Sequence, residues 1–74
     1  MIIEDVYKLI ISFSKEKEFK VWNKDNLQLI STVYGHNEII NGWDYNKRTE
    51  ILTTFSSTEI IEWDIKEIKK IRTI

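Results

Sequence analysis

Apolar and polar residues alternate along most of this chain in short runs, and clusters of turn-forming residues separate the runs. A period of two marks strands with one buried face. In the downstream half, Glu38 to Tyr45 reads as a first strand ending at Asn46-Lys47-Arg48, and Thr49 to Phe55 as a second ending at Ser56-Ser57-Thr58. Glu59 to Ile65 and Ile68 to Ile74 follow as a third and a fourth. Upstream, the same reading gives Tyr7 to Phe13, Phe19 to Asn23 and Leu27 to Val33, with Met1 to Glu4 as the remnant of a further strand.

The tail IIEWDIKEIKKIRTI is the ambiguous segment, because Ile61, Ile65, Ile68 and Ile71 also stand at near-helical spacing. Periodicity alone leaves strand and helix open there. The equivalent upstream stretch, KDNLQLISTV, begins with turn-forming Asp-Asn and continues as a poor helix, which favours strand.

That equivalence comes from laying the chain on itself at an offset of forty-one, where LIISFSKEKEFKVWNKDNLQLISTV covers EILTTFSSTEIIEWDIKEIKKIRTI. Trp22 meets Trp63, Glu18 meets Glu59, Phe19 meets Ile60, Leu27 meets Ile68, and the apolar framework persists on both sides. Offsets of twenty or twenty-one align only the Trp and its successor. Trp43-Asp44 is therefore not a third copy of the Trp63-Asp64 unit, and Trp43 is expected to pack between repeats. A period of about 40 to 45 residues is one signature of a propeller blade.

Composition narrows the reading. The 74 residues hold no Cys and no Pro, and Ile, Val, Thr and aromatics dominate, which suits a pleated surface rather than helix. With a single His and no thiolate, four-ligand structural zinc has no ligand set, and no cofactor is expected. Eleven Lys and Arg against twelve Asp and Glu argue against a dominant attraction to nucleic acid or anionic membrane. The acidic opening MIIED and the lack of a long apolar run leave secretion and membrane insertion unsupported, so a reducing, cytoplasmic setting is the expectation.

Gly35-His36 and Trp63-Asp64, with twenty-six residues between the pairs, together with SFSKEKEFKVWN one repeat upstream, resemble the WD-repeat β-propeller family. The resemblance covers essentially the whole chain. It implies an all-β fold of about two four-stranded antiparallel blades, the first incomplete, not closing into a propeller. Residues 1–34 would be the partial blade and 35–74 the second.

The resemblance also implies a hydrogen-bonded network of His36, Thr53 and Trp63 pinning the second blade. Trp22 and Asp64 are the other candidate structural positions. The family's hairpin Asp has no counterpart: Ser57, or Ser56 after a one-residue deletion, stands in its place, and Glu16 stands there upstream. Because the chain holds about one and three-quarter repeats, it is expected to expose apolar faces. It would then self-associate, dock onto further blades, or be a fragment of a longer product.

The functional expectation is a non-catalytic protein-protein interaction or scaffold module whose partner the residues do not name. Glu62 with Asp64, and Glu16 with Glu18, could serve acid-base chemistry, but a solvated strand face explains them as well, and no nucleophile-base pair or phosphate-binding loop is visible. The alternative is single-stranded nucleic acid binding by Lys20-Val21-Trp22-Asn23-Lys24, where stacking and charge stand together.

Overall fold

A computed structural model describes residues 1–14 and 16–74. The first sheet comprises β1 (Ile2–Glu4), β2 (Leu9–Phe13), β3 (Glu18–Asn23) and β4 (Leu29–Tyr34); the second comprises β5 (Gly42–Asn46), β6 (Ile51–Phe55), β7 (Ile60–Asp64) and β8 (Lys69–Thr73). Each sheet is an antiparallel meander in sequence order. The tail is strand, not helix. β1 is three residues long but fully paired with β2, so the first blade has all four strands.

The turns entering β2, β4, β6 and β8 share one construction. A side-chain acceptor ends the preceding strand and takes the two N–H groups two and three residues on: Glu4 from Val6 and Tyr7, Asn23 from Asp25 and Asn26, Asn46 from Arg48 and Thr49, Asp64 from Lys66 and Glu67. These are Asx-type turns, with Glu4 substituting a longer carboxylate. The residue that follows is left-handed in every case: Lys8, Leu27, Glu50 and Ile68 have φ between 55° and 60°. Each turn therefore consumes residues that alternation assigns to the following strand, and β4, β6 and β8 begin one or two residues later than their pattern suggests.

The two blades stack face to face. Leu9, Ile11, Phe19, Val21 and Val33 of the first join Leu52, Ile61, Trp63 and Ile65 of the second, with Ile40 from the connecting segment, in one core. Phe19 meets Trp63 edge to face at 5.1 Å, and Phe13 stacks on Trp43 at 4.2 Å. Trp43 thus lies between the blades. The Ile40 N–H donates to the Glu16 carbonyl across the same boundary, and the Glu50 carboxylate beside the Tyr7 hydroxyl pushes that phenol's pKa up to about 12.

Candidate functional site

His36 is held on the segment between β4 and β5, immediately after Gly35, whose missing side chain makes room for Trp63. A Cβ on Gly35 would stand 2.7 Å from Cη2 of that indole. His36 is buried, and its Nε2 lies 2.7 Å from Thr54 Oγ1, while Trp63 donates its indole N–H to the same oxygen at 2.8 Å. Having accepted from Trp63, the Thr54 hydroxyl has its own proton to donate to Nε2, which puts the ring proton on Nδ1. That nitrogen has no hydrogen-bond partner among the described residues but faces Glu59 Oε1 at 3.6 Å. Burial lowers the His36 pKa more than the neighbouring Glu59 carboxylate raises it, and Lys70 lowers it further. Burial thus favours the uncharged imidazole.

Thr54, not Thr53, is the hydroxyl of this network. Trp22 lies opposite Ile10 and Trp63 opposite Leu52, so Ser12 corresponds to Thr54. The repeat offset is forty-two before the β2–β3 and β6–β7 hairpins and forty-one after them, because the second hairpin is one residue shorter. A one-residue slip in a strand turns every side chain to the opposite face. Thr53 accordingly sits on the outer side with Asp44 and Glu62, which it pairs. Its neighbour is completely buried.

The remaining sequence candidates separate. Asp64 caps the β7–β8 turn and takes no part in the network. Trp22 donates its indole N–H to Ser12 Oγ at 2.9 Å, the counterpart of the Trp63–Thr54 bond. Neither Ser56 nor Ser57 supplies the hairpin acceptor. Ser56 Oγ instead receives the Thr58 and Glu59 N–H groups, and Glu59 supplies the carboxylate, also accepting the Asn37 N–H at 2.8 Å. Sequence reasoning missed Glu59, although its repeat partner, Glu18, was already aligned with it.

Thr54, His36 and Glu59 stand in the order hydroxyl, imidazole, carboxylate, which is the order of a charge-relay triad. The hydroxyl is fully buried and engaged by Trp63, so no substrate atom reaches it. Its role is to fasten β6, β7 and the interblade segment together. Among the described residues, no group of three His, Cys, Asp or Glu side chains is placed to hold a metal ion.

The open surface lies on the other side of the first blade. There Ser12, Phe13, Ser14, Glu18, Phe19, Lys20 and Trp22 line an open pocket of about 190 Å³. Ile3, Leu29 and Tyr34 stand on the same face and are exposed. The equivalent face of the second blade, carrying Trp63, Thr54 and Leu52, is covered by the first blade and by His36.

No family model matches the chain, and no curated protein matches it by sequence. Solved structures do. The structure of U3-55K and the crystal structure of the RRP9 WD40 repeats each align with a TM-score of 0.79 at 22% identity, over 90% of this chain and 21% of theirs. The chain spans about a fifth of the length of the structures it matches. With two four-stranded meanders stacked through an edge-to-face Phe-Trp contact and this superposition, the chain has the fold of two adjacent blades of a WD40-repeat β-propeller.

Proposed function

We propose that the chain is a non-catalytic protein-interaction module of propeller-blade type, which binds a protein partner on the Trp22 face of its first blade. One observation carries this reading: the two blades have equivalent faces, and the Trp63 face is buried while the Trp22 face stands open with Ile3, Leu29 and Tyr34 exposed around it. An apolar patch rimmed by polar side chains marks an interaction surface. Among the described residues, the Thr54–His36–Glu59 arrangement resembles catalytic machinery, but its hydroxyl and imidazole are buried, which favours binding over chemistry.

Nucleic acid suits this face less well. A base-stacking platform needs a free aromatic face and free cations, whereas the Trp22 indole is half buried and tied to Ser12, and Lys24 is paired with Asp5. The test is a photo-crosslinking residue placed at Leu29, with one at Lys47, in a turn of the other blade, as control. The expected result is a discrete protein adduct from Leu29 alone. Equal labelling from both positions, or an adduct only with added single-stranded oligonucleotide, refutes the proposal.

A further inference from the structure

We infer that Asn41 is a self-modification site: the Gly42 backbone nitrogen displaces its side-chain amide, and the isoaspartate that results loosens the boundary between the blades. This goes beyond the interaction reading and does not depend on it. Of the five asparagines, only Asn41 precedes a glycine. It lies on the segment that crosses between the blades, immediately before β5, where its side chain is exposed and makes no hydrogen bond among the described residues. Asn23, Asn26 and Asn46 hold their side-chain carbonyls in turns, accepting backbone N–H groups. Asn37 precedes Glu38, whose side chain crowds an approach that a glycine leaves open.

The chemistry needs only water. The Gly42 nitrogen bonds to Asn41 Cγ and loses its proton, the side-chain nitrogen leaves as ammonia, and a succinimide ring closes. Water then opens the ring. Attack at Cγ restores the ordinary main chain as aspartate; attack at the backbone carbonyl leaves the main chain running through Cγ as isoaspartate. The packing keeps the susceptible pair in place, since a Cβ at Gly42 would press on the Phe55 ring. Gly42 is also the first residue of β5, and ladders open first at their ends, so local fraying frees its amide without global unfolding.

Isoaspartate inserts a methylene into the main chain between two anchors. Upstream, Ile40 is buried in the shared core with its N–H on the Glu16 carbonyl, and the Asn41 N–H donates to the Phe55 carbonyl. Downstream, Gly42 and Trp43 pair with Phe55 and Thr54, and Trp43 stacks on Phe13 of the first blade at 4.2 Å. With the upstream anchor in the core, the extra atom displaces the start of β5, and the Phe13–Trp43 stack gives way. The aspartate product keeps the main-chain length and leaves the stack in place, adding only an exposed charge.

The experiment ages the folded chain in warm, mildly alkaline buffer, with far-ultraviolet circular dichroism confirming that it stays folded. Peptide mapping by mass spectrometry, with a proteinase that cuts before aspartate but not before isoaspartate, follows each asparagine. Urea midpoints read by tryptophan fluorescence follow stability in the same samples. The expected result is conversion of Asn41 ahead of the other four, with isoaspartate among the products. The isoaspartyl chain should lose the worth of one aromatic pair, a fall of about twofold to tenfold in its folded-to-unfolded ratio. Asn41→Asp should match the fresh wild type, and Asn41→Gln, whose longer side chain closes a ring far more slowly, should hold its midpoint through ageing. Prior conversion of another asparagine, or an Asn41 that converts in urea but not in the folded chain, overturns the inference. So does an isoaspartyl chain as stable as the fresh one, an Asn41→Asp chain as weak as the isoaspartyl form, or an Asn41→Gln chain that ages like wild type.

Discussion

Replacing Thr54 by Val, with Thr53→Val as its neighbour control, tests the network and the strand register together. Valine keeps the shape of Thr54 and removes only the hydroxyl. Two buried groups then lose their partner, the Trp63 indole N–H, 2.8 Å away, and His36 Nε2, 2.7 Å away. An unsatisfied buried polar group costs about 1–3 kcal/mol; because the substitution also removes a hydroxyl that itself had to be buried, the net loss is about 2–4 kcal/mol. A chain of this length has a total stability of roughly 4–11 kcal/mol, so the loss is a large part of it and lowers Tm by about 10–30 °C. Thr53 is half buried on the outer face and has no side-chain partner among the described residues, so its change stays within about 0.5 kcal/mol. Urea unfolding followed by tryptophan fluorescence, at one fixed chain concentration, measures both. A Thr54→Val chain as stable as wild type, or a Thr53→Val chain that loses as much, would show that the hydroxyl on the other face is the one that matters.

Acid should weaken the fold through His36. Its folded pKa lies below the unfolded value of about 6.5, so the unfolded chain binds the proton more readily; stability is complete above that pH and falls as pH drops, by up to about 1.4 kcal/mol per unit. His36→Gln should flatten the stability profile between about pH 6.5 and the carboxylate range, measured by urea midpoints, and an unchanged slope would remove His36 from the account. Gly35→Ala should cost about 1–3 kcal/mol by pressing on the buried Trp63 ring. Gly42→Ala, whose Cβ would press on Phe55, should cost less, because that ring lies at the surface and can turn aside. Leu27→Gly should raise stability by about 0.5–1 kcal/mol, since Leu27 is exposed and held at φ 60°; a loss would mean that its side chain contributes packing the static structure does not reveal.

Much of this architecture is visible in the pattern of residues, and the failures share physical causes. Period-two alternation and the Trp22/Trp63 match place β2, β3, β6 and β7, because one face of each of these is buried. Strand starts come late where Lys8, Leu27, Glu50 and Ile68 adopt left-handed backbone, a state that apolar or charged side chains do not announce as glycine would. Glu38 to Ile40 alternate like a strand but belong to the crossing between blades, with Ile40 buried in the shared core. Thr53 was indicated instead of Thr54 because a uniform offset carries the register of β7 back across a shorter hairpin. Only a pairing partner such as Leu52 opposite Trp63 reveals that slip. Glu59 escaped notice because the family pattern puts its acceptor within the hairpin, whereas here it comes from the residue that closes it.

The meander has a kinetic consequence. Every strand pairs only with its neighbour in sequence, so neither sheet needs a long loop closed before its hydrogen bonds form. Such local topology folds fast. Docking the two sheets, which buries Trp63 and locks His36 onto Thr54, joins more distant parts of the chain, and loop-closure entropy predicts that it follows the pairing within each sheet. Substitutions at Gly35, His36 or Thr54 should therefore act chiefly on the rate of unfolding and leave the rate of folding nearly unchanged. The blade boundary, more than either blade, sets how long the folded state survives.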